Sequence, residues 1–369
     1  MFAIIDRYIL QLLIGPFIIS TSAFTSITLS VGILFELVRR VVEGLPFKIA
    51  GKILLYKSPY FIFLSFPLAS LFATLITFNQ LANNKELIGF RSLGISSYKW
   101  LRSTIVFGIL IAISAFFIND LIVPVSNYRA NELLRESKEN KSLDNRRFDI
   151  LYKEYYQNPE EGLKQLFYSQ SFDGNFMNNV LVINFYKQKP EIIISSDKAV
   201  WDEKVKNWIF YFGNVYHLTP IGHYTSIMNF KCYENKDLKI SKRPLELSLK
   251  KRNIDVMNLD EAITYRNLLL ETNNIKEARK VSVRIEQRYA IPFSCIILSL
   301  IGCILGSQME ETNKQIAFTI SVFIILNYYI IAFITDALAQ LLIINAKIGA
   351  WFPNIFCSII LCILFLFFE

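Results

Sequence analysis

The sequence predicts an α-helical integral membrane protein with six transmembrane helices, three on each side of a central strand-rich domain. Three observations predict it. The 369 residues are 53% hydrophobic with a mean hydropathy of +0.36, yet 19% are charged, so charge must be segregated along the chain. Six long intervals carry no charge at all. Between the third and fourth of them the pattern changes to short runs of β-branched and aromatic residues separated by turn formers.

A helix crossing about 30 Å of hydrocarbon at about 1.5 Å per residue needs roughly 20 apolar residues. The charge-free intervals lie between Arg7 and Glu36, Lys57 and Lys85, Arg102 and Asp120, Arg288 and Glu310, Lys314 and Asp336, and Lys347 and Glu369. A charge at mid-span costs several kcal/mol, so its absence marks lipid-exposed length. The third interval is the shortest, and Leu121, Ile122 and Val123 extend it past Asp120. Pro16, Pro67 and Pro292 fall in or near spans, where membrane helices tolerate proline. The first run is too long for a signal-peptide core and is expected to be retained. Lys and Arg in the short connecting segments are nearly balanced, so the positive-inside rule leaves the orientation open.

The middle region holds six candidate strands: Phe148–Tyr156, Gln165–Phe172, Val180–Tyr186, Glu191–Ser196, Trp208–Leu218 and His223–Tyr233. Asn158-Pro159, Asp173-Gly174-Asn175, Lys189-Pro190 and Thr219-Pro220 separate them. Strands at this spacing suggest a sandwich, a roll or an open barrel. Leu181-Val182-Ile183 and Ile192-Ile193-Ile194 read as strands covered on both faces or lining an apolar interior. From Asn258 to Arg288 the pattern turns helical and charged.

Several chemistries find little support. The formal charge of +8 is spread over helix ends and a mixed-charge middle, which favours anionic lipid over nucleic acid. Four of the five cysteines sit in apolar runs, where a thiol is a small hydrophobe, and Cys232 stands alone. Gly89-Phe-Arg-Ser-Leu-Gly94 has the glycines of a phosphate-binding loop, but Ile95 stands where the lysine belongs. The chain is therefore expected to bind no nucleotide and no other cofactor, and any ATP is hydrolysed by another subunit. Ser96-x-x-Lys99 and Ser248-x-x-Lys251 lack the companion motifs of acyl-enzymes. His217 and His223 have no carboxylate cluster beside them and make no metal site.

Three features invite a functional reading, each beside a plainer one. Gly302-x-x-x-Gly306 is a small-residue surface that lets helices approach closely, although glycine is common in membrane helices anyway. Arg39 and Arg40 follow the first span, and Arg129 and Arg135 follow the third. They either snorkel to headgroups or grip a ligand's phosphates with their forked donors. Between spans two and three, Lys85 to Leu93 predicts a short amphipathic helix stopped by Gly94, which is either a connector or a docking surface for a soluble partner.

Taken in order, several fragments resemble the LptF/LptG (YjgP/YjgQ) family of lipopolysaccharide export permeases. They are Ile5-Asp6-Arg7-Tyr8-Ile9, Lys85-Glu86-Leu87 with Arg91-Ser92-Leu93-Gly94-Ile95-Ser96, and Val123-Pro124 with Asn127-Tyr128-Arg129-Ala130. Arg288 with Pro292 and Trp351-Phe352-Pro353-Asn354 complete the series, so the likeness runs nearly end to end. Glu310 and Glu311 between spans four and five depart from the familiar pattern, and the two paralogues are not separable here.

The resemblance implies three regions. Residues 1–130 would hold three spans with a cytoplasmic coupling helix near 83–97, residues 131–255 a periplasmic β-jellyroll, and residues 256–369 a connecting helix and three further spans. It implies an inner-membrane protein, not itself an enzyme, that pairs with the same or a sister permease and with a cytoplasmic ABC ATPase dimer. Lipopolysaccharide, or a related glycolipid, would pass through the jellyroll to a periplasmic bridge of similar domains. Lys85, Glu86, Leu87, Arg91 and Gly94 would serve ATPase coupling. Arg39, Arg40, Arg129, Arg135 and the jellyroll residue Ile183 would contact the lipid. Three other functions compete: an ion-coupled secondary transporter, which usually needs mid-span ionisable groups, a membrane enzyme acting on a lipid-linked sugar, which needs a carboxylate cluster or nucleophile, and a structural scaffold, which leaves the strand-rich domain with its apolar stretches unexplained.

Overall fold

A computed structural model describes residues 4–139, 150–156, 162–172, 176–186, 188–202, 207–219, 224–234, 254–308 and 314–366. Phe148, His223, Ser248, Lys251, Glu310 and Glu311 lie outside them, as do the expected turns Asn158-Pro159 and Asp173-Gly174-Asn175 and the proline of Thr219-Pro220. The chain divides into two compact units, residues 1–138 with 282–369, and residues 139–281.

The first unit is helical. The described residues include six helices long and apolar enough to span a membrane: Ile4–Val42, Phe47–Asn83, Tyr98–Ser137, Ile275–Gln308, Thr319–Gln340 and Ala346–Leu366, of which the fourth enters the first unit at Ser282. The third runs through Asp120 without a stop: a π-helical turn occupies Ile118–Ile122 and the α-helix resumes at Val123. The first contains a second π turn, Ser30–Leu34, before it continues as Phe35–Val42. Single π turns inside α-helices recur at functional positions.

The second and fourth spans form the centre of this bundle: 78% and 67% of their most apolar stretches are buried, against 11% in the first span. Glycine permits the approach. A Cβ on Gly302 would lie 2.6 Å from the Leu71 carbonyl oxygen, and one on Gly306 would lie 2.6 Å from that of Leu75. Both distances are shorter than carbon and oxygen tolerate, so the backbones of the two spans meet where side chains are missing. Several side-chain polar groups inside the bundle are tied across helices. Tyr328 donates to the Asn354 side-chain oxygen at 3.2 Å, and the Asn354 amide donates to the Ala290 carbonyl at 2.7 Å. Tyr329 donates to the Leu64 carbonyl at 3.0 Å. In hydrocarbon such groups find no water, so their partners must come from the protein.

The second unit carries a six-stranded antiparallel sheet in sequence order. Its strands are β1 (Ile150–Tyr155), β2 (Leu163–Phe172), β3 (Phe176–Tyr186), β4 (Lys189–Asp202), β5 (Asn207–Leu218) and β6 (Tyr224–Glu234). All six expected strands are present, and β4 runs further at both ends than its Ile-rich centre suggested: Lys189 and Pro190, expected as a turn, pair with Tyr186 and Phe185 on β3, and Lys198, Ala199 and Val200 pair with Tyr211, Phe210 and Ile209. One face closes on a core that includes Phe167, Val182, Ile194, Trp208, Phe210 and Val215. The protein therefore combines six apolar spans with a central, jellyroll-like antiparallel sheet.

The apolar triplets are not covered equally on both faces. Val182 and Ile194 are fully buried in the core, whereas Ile183, paired with Ile193 on β4 and Leu166 on β2, is half-buried on the opposite face. A strand turns successive side chains to opposite faces, so three apolar residues in a row leave the choice of inner face undecided. The inward positions are Val182 and Ile194, and Ile183 is not one of them.

Beyond the sheet, Leu259–Glu271 forms a helix opened by a capping box, in which the Glu261 amide donates to Asn258 Oδ1 at 2.9 Å and the Asn258 amide to the Glu261 carboxylate at 3.3 Å. Burial first, and the Glu277 carboxylate second, push the Tyr265 hydroxyl's pKa up.

Candidate functional site

The segment between the second and third spans is built from both of them and from the first. Lys85 adopts a left-handed conformation (φ 60°) that breaks the second span and starts a short helix, Glu86–Ser92. The Glu86 carboxylate accepts from the Tyr8 hydroxyl at 2.8 Å and from the Asn84 side-chain amide at 3.2 Å. One turn of the helix is thereby pinned to the start of the first span. Leu87, 5% exposed, enters a core cluster with Ile9, Leu13, Trp100 and Ile304. Trp100 is the platform for the rest: Phe90 packs against it at 6.4 Å and the Arg91 guanidinium lies over its ring at 5.8 Å, within cation–π reach. Below the helix, the buried Asp6 accepts from the Ser103 hydroxyl at 2.7 Å, joining the first span to the third.

The helix stops as expected. Gly94 takes φ +74°, the Ile95 amide reaches back to the Phe90 carbonyl at 3.0 Å, and the Gly94 amide to that of Arg91 at 2.9 Å. This is a Schellman-type ending that favours glycine at the left-handed residue. Ser96 then opens the third span by accepting from the Tyr98 amide. With Leu87 turned in and Glu86 tied, the helix and its stop present Ile88, Gly89, Arg91 and Leu93 outward. Ile88 is 52% exposed and Leu93 77%. Two exposed aliphatic side chains beside a cation make a surface suited to a protein partner. The coupling residues that the resemblance implies include neither Ile88 nor Leu93, and Tyr8 is not among them as the anchor of Glu86.

Three of the four arginines are paired within their own helices. Arg39 pairs with Glu43 at 3.0 Å, Arg40 with Glu36, and Arg129 with Glu132 at 3.3 Å, each one turn along its own helix. Arg135 is half-buried on the same helical extension as Arg129. What the structure does bring together is the apolar sides of these extensions. Ile33 and Leu37 of the first span, Ile53 and Phe61 of the second, and Ala130 of the third form one cluster. Exposed pairs of this kind along a helix are weak, about 0.3–0.5 kcal/mol.

A further ion pair joins residues far apart in sequence. Arg288, at the start of the apolar part of the fourth span, reaches Asp120 in the π turn of the third at 3.4 Å, with the Arg288 side chain 10% exposed. The signal for it was that these two residues each bound a charge-free interval. Among the described residues no group of three His, Cys, Asp or Glu is placed to hold a metal ion. His217 lies on β5, paired with Ile192 and Ser226.

A family model described as "Lipopolysaccharide export system permease LptF/LptG" matches residues 7–367. No curated protein matches the chain.

Proposed function

Because the chain belongs to the LptF/LptG family of lipopolysaccharide export permeases, and is thus a multi-pass inner-membrane protein, we propose that it couples a separate ABC ATPase to glycolipid extraction. The observation that carries the coupling reading is the short helix Glu86–Ser92, anchored at Leu87 and Glu86 and offering Ile88, Arg91 and Leu93 outward. A rigidly seated helix transmits displacement to the spans it is bonded to, here the first through Tyr8 and the third through Trp100.

On this reading the ATPase dimer docks on the cytoplasmic face and binds the ATP. A second permease chain, the same or a sister, completes the lipid cavity. The central sheet stands in the periplasm and passes lipid to a bridge of similar jellyrolls. The outer extensions of spans one and three bring Arg39, Arg40, Arg129 and Arg135 to the lipid phosphates, and Val182 and Ile194 line the interior that receives the acyl chains.

The test is affinity purification of the tagged chain in mild detergent, with copurifying proteins identified and ATP hydrolysis assayed. An ATPase that copurifies with wild type and is lost with Ile88→Asp or Leu93→Asp supports the coupling role. Purification of the chain with other membrane partners but no ATPase would refute it.

A further inference from the structure

The first unit contains a groove of about 620 Å³ between the third, fourth and sixth spans. Its wall is apolar: Ile105 of the third span, Ile304 of the fourth, and Leu361 and Cys362 of the sixth face it. At its rim stand Tyr98 and Arg102, near the start of the third span. The volume falls within the roughly 300–1,000 Å³ of small-ligand clefts.

The rim is where the chemistry changes. Arg102 is the last charged residue before the charge-free run of the third span, so it sits at headgroup depth and the groove runs from there into hydrocarbon. Lys99 lies one turn away at the i,i+3 position, on a neighbouring part of the same helix surface. Neither has an ion-pair or side-chain hydrogen-bond partner among the described residues, unlike Arg39, Arg40 and Arg129. The Tyr98 ring packs on Phe365 at 5.9 Å, holding the mouth of the groove together across two spans.

An apolar slot in a membrane span is filled by hydrocarbon, and Arg102 at its mouth, with Lys99 beside it on the same helix, selects what that hydrocarbon carries. We propose that the groove is a binding site for an anionic glycerophospholipid, with one acyl chain along Ile105, Ile304 and Leu361 and the phosphate on Arg102 and Lys99. A zwitterionic lipid could fill the same slot but brings a positive headgroup to two positive side chains. The site does not depend on the transport reading above, since it requires only that the chain spans a membrane.

Native mass spectrometry of the full-length chain, titrated with phosphatidylglycerol or with phosphatidylcholine of the same acyl chains, tests it. Wild type should retain phosphatidylglycerol preferentially. Arg102→Ala should weaken that binding by roughly fivefold, the scale of one basic side chain beside an anionic lipid surface, and leave phosphatidylcholine unchanged. Ile105→Trp keeps both cations and fills the slot, so it should weaken both lipids. Cys362 provides a second readout: in a Cys232→Ser background, phosphatidylglycerol should slow its alkylation in wild type and not in Arg102→Ala. Equal binding of both lipids by wild type, or phosphatidylglycerol binding untouched by both variants, would overturn the proposal. Efficient Cys362–Cys362 crosslinking between chains would also overturn it, by assigning the groove to a second copy.

Discussion

The Tyr8 hydroxyl donates to the Glu86 carboxylate at 2.8 Å, joining the first span to a short helix 78 positions away in sequence. Glu86 therefore has an intramolecular task whatever it does for a partner. Tyr8→Phe separates the two. Loss of this bond should cost about 0.5–1.5 kcal/mol, the net worth of an ordinary hydrogen bond. The short helix should then open more often, so trypsin should cut after Arg91 several-fold faster while the thermal midpoint of the whole chain barely moves. Glu86→Lys should do the same and also reduce copurifying ATPase. Full ATPase retention in Glu86→Lys would count against any coupling role for this carboxylate.

The inward and outward sides of the same helix should respond oppositely. Leu87→Ala removes a buried side chain from the cluster around Trp100 and should destabilise the chain by about 2–5 kcal/mol. Ile88→Asp and Leu93→Asp alter exposed residues and should leave the melting temperature within about a degree or two, since such changes fall within ±0.5 kcal/mol. Their effect should appear in ATPase association alone. A large drop in melting temperature for either would mean that the side chain packs inside the chain.

At Gly302 and Gly306 the expected effect is on stability. Alanine at either position places a Cβ 2.6 Å from a backbone oxygen of the second span, and backbone moves less readily than a side chain. Each should cost about 1–3 kcal/mol as overpacking, read as a lowered thermal midpoint in detergent. Wild-type midpoints for both variants would show that the two spans are further apart than described.

Photo-crosslinking amino acids can distinguish the faces of β3 and β4. At Val182 and Ile194 they should capture glycolipid in an ATP-dependent way when the complete transport complex is present. At Ile183 they should capture little, because that side chain points away from the core. The reverse pattern would place the lipid path on the outer face of the sheet.

The Asp120–Arg288 pair should behave as a partly buried one. Asp120→Asn removes the Asp120 charge from the Arg288 guanidinium, whose side chain is 10% exposed, and should lower the thermal midpoint more than Glu43→Gln, which removes a charge from the exposed Arg39. Equal effects would mean that water reaches the Arg288 head.

Much of this was legible along the chain, because lipid imposes a local rule. A span must be long and uncharged wherever it occurs, so six intervals between charges predict six helices without knowledge of what packs on what. The six strands and the short helix ended by Gly94 were equally local, set by runs of β-branched residues, turn formers and one left-handed glycine. What depended on contact between distant residues was not legible. Sequence alone selected Glu86 but not Tyr8, Leu87 but not the exposed Ile88 and Leu93 beside it, and Ile183 where Val182 faces the core. It placed Asp120 and Arg288 at the edges of two intervals, yet only the packing of the third span on the fourth made them a pair. Hydropathy and turn chemistry act within a few residues and can be read one segment at a time. Which face of a strand is inner, which carboxylate Arg288 meets, and which two helices share a glycine seam are decided by neighbours from elsewhere in the chain, and those exist only once it has folded.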